Sequence, residues 1–260
     1  MAAMKTRALA VVVLVMGLAS EVARADCDEC KDLCRLMDEY QQREMGIKLW
    51  SLFATSTTTP QERSERARRL NGKSVHDRVG QMLAMWNKFR KYPCALLGSG
   101  PGVVTDLETT LDDNPRGQPH CTVVRSWGDA AGKVIRQEKL EGDVLDGYHR
   151  DTGCKAISDA TIEHEKVHQQ DCEQAYANHA EASLGDPHVL AESELKAWTK
   201  HKELVADKIR QIIRDKGCGW QPTFLGDALP SPVQVQNMEK RGWKAVNALW
   251  PGGPSAGWGP

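Results

Sequence analysis

Between Ser158 and Ala177 the chain runs for twenty residues without a proline or glycine, and near the middle stand His164, Glu165 and His168. The stretch predicts a helix, with Ser158 as N-cap, Asp159 and Glu163 near the positive end of the dipole, and Ile157 and Ile162 at the positions of a hydrophobic staple. Residues i and i+4 of a helix share a face and lie about 6 Å apart along its axis. The imidazoles of His164 and His168 can therefore reach one metal ion, with Glu165 beside a water that the ion activates.

Chance alone places such a His-Glu-x-x-His pattern in roughly 2% of chains with this His and Glu content, so a third ligand is the deciding feature. A second helix is predicted from Asp186-Pro187, an N-cap followed by the favoured first-turn proline, to about Lys216, with Gly217 as its stop. At about 100° per residue, Leu190, Ala197, Trp198, Leu204, Val205 and Ile212 gather on one face with Glu194 in the middle. Glu192 points to the opposite side with Lys196, Glu203 and Arg210. A carboxylate centred on an apolar stripe is costly unless it is paired or bound to a cation. Glu194 is therefore the candidate third ligand.

His164-Glu165-x-x-His168 followed by a glutamate on the next long helix resembles the gluzincin branch of the zinc metallopeptidases. Glu194-Leu-Lys-Ala197 looks like that branch's pattern of a ligand followed three residues later by a small residue. The likeness covers about Ile157 to Val205. Trp198 stands where the family usually has an acidic residue, Lys166 where it has an uncharged one, and Gln170 where an apolar one is common. The metzincin pattern fails, because its third histidine would fall at Gln174.

The resemblance implies one Zn²⁺ per chain held by His164, His168 and Glu194, with a fourth position open to water. Glu165 is then the general base of an exported metallopeptidase acting on a protein or peptide substrate. An oxyanion donor is also expected, with His201, Tyr148 and His149 as candidates.

The remaining sequence sets the surroundings. Lys5 and Arg7, an apolar run from Ala8 to Leu18 and Ala23-Arg24-Ala25 read as a secretory signal cleaved after Ala25, which predicts a secreted or periplasmic protein with no stable membrane insertion. Its removal leaves 31 basic against 34 acidic residues, a net −3, which argues against a nucleic-acid partner. All eight cysteines follow the signal, and an even number in an exported chain predicts disulfides. On that reading Cys172, one turn after His168, is a disulfide partner and not a ligand, and Cys27, Cys30 and Cys34 pin the N-terminus. His179 and His188 are predicted surface or cap residues, and Gln169, Asp171, Glu173 and Gln174 solvated ones.

Helical spacing recurs in Leu33, Met37, Tyr40, Met45 and Leu49. Thr59-Pro60 starts a charged helix that Asn71-Gly72 ends, and Ser74 caps a helix over Val75–Tyr92 with Val79, Met82, Leu83, Trp86 and Phe89 inward. From Cys94 to Cys154 the chain reads as loop apart from one β-hairpin, Thr122–Trp127 with Lys133–Arg136, whose edge an extended peptide can join. Leu225–Val235 reads as extended, Asn237–Trp250 as a short helix, and Trp243, Trp250 and Trp258 as packing residues.

The expected fold is mainly α with a small β-hairpin or short sheet, a zincin-like α+β core stapled by disulfides. It divides into a signal (1–25), an N-terminal helical part (26–93), a catalytic core (94–220) and a C-terminal extension (221–260). The competing reading is an exported, disulfide-stapled helical binding protein or a catalytically inactive zincin scaffold.

Overall fold

A computed structural model of the chain describes residues 32–89, 105–113, 119–129, 133–217, 223–224, 227–228 and 232–250. The signal, Cys27, Cys30, Trp258 and the divisions at 25/26, 93/94 and 220/221 lie outside them. Among the described residues the protein is mainly helical, with a small antiparallel sheet, and no helix is long and apolar enough to cross a membrane.

Three helices come first: α1 (Leu33–Trp50), α2 (Pro60–Leu70) and α3 (Val75–Phe89). The predicted caps are present. Thr59 and Glu62 form a reciprocal capping box ahead of Pro60, Asn71 closes α2 in the left-handed region at φ 50°, and Ser74 Oγ accepts from Asp77 N at 3.0 Å. Val79, Met82 and Trp86 are buried on the predicted stripe of α3, while the Phe89 side chain lies outside the description.

The sheet has the order β1 (Thr105–Asp113), β2 (Pro119–Gly128), β3 (Val134–Lys139), both pairs antiparallel. The predicted hairpin is β2–β3, with Trp127 opposite Arg136 and an irregularity at Trp127/Gly128. Two elements overturn the loop reading of Cys94–Cys154. Strand β1 was hidden by its composition, three Asp and one Glu in nine residues and no Val or Ile, and pairing with β2 from Thr105↔Trp127 to Asp113↔Pro119 holds it extended. Helix α4 (Gly142–Thr152) carries two glycines that lower its propensity and docks on β2, where buried Arg125 pairs with Asp151 and reaches Val144 O at 3.4 Å.

The motif-bearing helix α5 spans Lys155–Ala177, so Ser158 is not its N-cap. Left-handed Gly153 (φ 61°) ends α4, and buried, disulfide-bonded Cys154 starts α5 at once. Ser158 is instead fully buried in the first turn, 2.5 Å from His149 Nδ1 and donating to Lys155 O at 2.9 Å. That also removes the staple. A 3₁₀ turn (Glu181–Gly185) leads to α6 (Pro187–Lys216), whose limits match the expectation. Asp186 accepts from His188 N and Val189 N, and Gly217 closes the helix at φ 64°. Helix α7 (Pro232–Leu249) starts five residues before the expected short helix, inside the stretch read as extended, and follows a two-strand ribbon, β4 (Thr223–Phe224) with β5 (Asp227–Ala228).

Helices α1 and α6 run antiparallel in contact, since Glu39 meets His201 while Arg43 meets Trp198. The approach is close at Gly46, where a Cβ would lie 2.0 Å from the Trp198 ring. Two apolar clusters form the core. One joins Leu33 and Leu36 of α1 to Ala160, Val205 and Ile212. The other joins Met45 and Leu49 to Phe53, Val79, Trp86 and the buried Val246 and Trp250 of the C-terminal helical region.

The sheet is fastened to α5 by the Cys121–Cys172 disulfide and by Gln169 Nε2 donating to Cys121 O at 2.7 Å. The disulfide reading of Cys172 therefore holds, and Gln169 is a bridging residue, not a solvated one. The bond closes 51 residues of chain, for which loop entropy gives about 4 kcal/mol. Cys121→Ser/Cys172→Ser should lose up to about that much in urea unfolding; a loss below about 1 kcal/mol contradicts this role of the bond.

Candidate metal centre

The predicted residues converge at the junction of α5 and α6. His164 and His168 stand one turn apart on α5, and Glu194 faces them from α6. Their ligand atoms lie within 4.8 Å of one another, and the group can hold a metal ion. The two Nε2 atoms are 3.2 Å apart, and Glu194 Oε2 lies 3.8 Å from each. Donors about 2.0–2.1 Å from a tetrahedral ion stand about 3.3 Å from each other, so the spacing fits one small divalent ion. The donor set of two imidazoles and one carboxylate also fits zinc.

The histidines are prepared for this. His168 Nδ1 lies 2.9 Å from Ser193 Oγ. With Nδ1–H donating there, the Nε2 lone pair points toward Glu194. Burial pushes the His168 pKa down, against the attraction of Glu194. His164 is held well below the usual histidine range, first by burial and then by the neighbouring His168, Arg43 and His201. Both rings are thus neutral at neutral pH.

Glu194 is 9% exposed, in a row with Ala191, Ala197, His201, Val205 and Ile212 on the buried face of α6. Trp198 Nε1 donates to Glu194 Oε2 at 2.9 Å, so the residue that departs from the gluzincin pattern is a partner of the candidate ligand. Glu192 is not part of the group; it lines the same cleft and accepts from Thr55 Oγ1, Ser56 N and Ser56 Oγ at 2.9–3.1 Å. Lys166 is exposed and pairs with Glu163 at 2.7 Å.

Glu165 sits beside the group, its Oε1 3.9 Å from His164 Nε2. From β1, the Thr109 hydroxyl lies 3.0 Å from Glu165 O and 3.2 Å from Glu165 Oε2. Strand β1 therefore positions the carboxylate, a role the sequence reading missed along with the strand. The group opens into a cleft of about 820 Å³, within the size range of small-ligand sites. His76, Val79 and Leu83 of α3 line it, as do Leu107, Glu108 and Thr109 of β1. The cleft-side strand is thus β1, not the β2–β3 hairpin expected to receive a peptide.

The three oxyanion candidates are engaged elsewhere, and none lines the cleft. His201 is fully buried with Nε2 3.0 Å from Glu39 Oε1. Tyr148 is buried on α4, and His149 packs on Ser158 at the start of α5. The cleft histidine outside the ligand pair is His76, whose ring centroid lies 5.8 Å from that of Trp50. Its place in the second position of α3 gave no sequence signal. His188 Nδ1 lies 3.0 Å from Phe53 O, and His179 is exposed, as expected of cap and surface residues.

Comparisons with protein-family models, curated proteins and solved structures returned no match.

Burial and the Arg43 charge hold His201 down at about 4, from 6.5, against the pull of Glu39. An unfolded chain protonates this histidine below 6.5 while the folded one stays neutral. Its contribution to stability is present above pH 6.5 and is lost as the pH falls toward 4; His164 and His168 act with the same sign. In chelator, Tm should fall steadily from pH 7 to pH 5, and less steeply in His201→Gln. A flat profile contradicts the buried neutral histidines.

Proposed function

We propose that this chain is an exported zinc-dependent metallopeptidase of gluzincin type. The observation that carries the reading is the place of Glu165: a carboxylate that lines an open cleft beside two neutral imidazoles and the Glu194 side chain. His164, His168 and Glu194 would hold the zinc ion, which when bound would supply Lewis-acid chemistry and lower the pKa of a water. Structural zinc sites close all four positions with protein ligands, whereas here three side chains face a cleft.

This chain's own residues do the rest. Glu165 takes the proton of the attacking water and delivers it to the leaving amine. Thr109 holds that carboxylate toward the cleft, and Ser193 fixes the tautomer of His168. His76, across the cleft on α3, is the side chain suited to donate to a developing oxyanion. Leu107–Thr109 of β1 run along the cleft wall, where an extended peptide can lie beside the strand. Export rests on the N-terminal signal pattern, and the Cys121–Cys172 disulfide is compatible with it.

The test is cleavage of an unfolded protein by wild type and Glu165→Gln. The variant should retain zinc and lose about 10²–10⁴-fold in kcat/KM. Equal cleavage by both removes Glu165 as the base, and a zinc-loaded wild type that cleaves no peptide bond removes the peptidase reading.

A further inference from the structure

Next to the candidate ligands helix α1 presents Glu39, Arg43 and Gly46, none of which lines the cleft, to α6. Their spacing, i, i+4 and i+7, makes one stripe of the helix. Arg43 bonds Glu39 Oε1 through Nε at 2.6 Å and Nη2 at 2.5 Å, and its guanidinium carbon lies 4.5 Å from the centroid of the Trp198 ring. At Gly46 the absent side chain lets the same indole rest on the α1 backbone. Trp198 is thus confined between the cation and the helix, and its N–H is aimed at Glu194 Oε2. That oxygen is the one nearest both histidine Nε2 atoms.

Each part of this chain has an electrostatic consequence. Glu39 and Arg43 are largely buried, with 12% and 19% of their side chains exposed, and each compensates the other. Burial raises the Glu39 pKa, but Arg43 and His201 more than offset it and keep the carboxylate charged. The guanidinium over the indole face draws on the ring's π density, which makes the indole N–H a stronger donor. A donor on a ligating carboxylate oxygen fixes its orientation and withdraws charge from it. Partners of this kind are worth about 10–100-fold in metal affinity where they have been removed.

We infer that Trp198 and Arg43 are positioning residues of the metal centre, with α1 packed beside it and Glu39 holding Arg43 in place. The inference rests on Glu194 being a metal ligand. Were Trp198 only a packing residue, its N–H would be dispensable provided the ring volume were roughly kept.

The test uses the full chain as wild type, Trp198→Phe and Arg43→Met, titrated with Co²⁺ in competition with a chelator, with the visible absorption of bound Co²⁺ as a second readout. Trp198→Phe should bind Co²⁺ about 10–100-fold more weakly and shift its absorption bands. Arg43→Met, which keeps the indole N–H but removes the cation behind it, should lose about 3–10-fold. Wild-type affinity with unchanged bands in Trp198→Phe overturns the assignment, whatever happens to its Tm. If that variant does not fold, Arg43→Met decides, and unchanged affinity and bands there overturn it equally. A wild type that takes up no Co²⁺ removes the metal centre itself, which is a different failure.

Discussion

A carboxylate on the buried face of a long helix is a demanding thing to fold around, because an uncompensated buried charge costs several kcal/mol. Glu194 sets that demand, and the arrangement of α1, α5 and α6 answers it. The indole N–H of Trp198 meets one carboxylate oxygen, the neutral imidazoles of α5 face it, and a small divalent ion fits the space between the three. Apolar clusters lie on either side: Leu33, Leu36, Val205 and Ile212 toward one end, Met45, Leu49 and Ala191 toward the other. Glu39, Arg43, His201 and Glu194 form a polar layer between them. The layer is held in register by close packing of α1 on α6 at Gly46, where any side chain would collide with Trp198.

On the other side of α5 the sheet plays the complementary part. The disulfide and Gln169 fix β2 to the helix one turn beyond His168, and that places Thr109 of β1 against Glu165. Helices α5 and α6 thus carry the candidate ligands and Glu165, and β1 and α3 wall the cleft they face.

The parts legible in the sequence were those with a local chemical signature. The Asp186-Pro187 start and Gly217 stop delimited α6, and its apolar periodicity was enough to separate Glu194 from Glu192. The capping box at Thr59 and the β2–β3 hairpin were equally plain. What escaped depends on partners distant in the chain. Strand β1 is too acidic to be recognised without β2 beside it. Glu39 and Arg43, four apart, look like an ordinary surface ion pair, and only Gly46 in mid-helix hints that this stripe faces another element. Ser158 looks like a cap until Gly153 and Cys154 are seen to start the helix a turn earlier. His201 was rightly placed on the inward face, but its partner Glu39 lies 162 positions away.

The central claim is that His164, His168 and Glu194 together hold one divalent ion. It is tested most directly by the metal content of the purified chain, dialysed against zinc and then against metal-free buffer, beside Glu194→Ala. The account predicts one zinc per wild-type chain and little or none in the variant. A wild type without zinc, or a variant that retains a full equivalent, contradicts it.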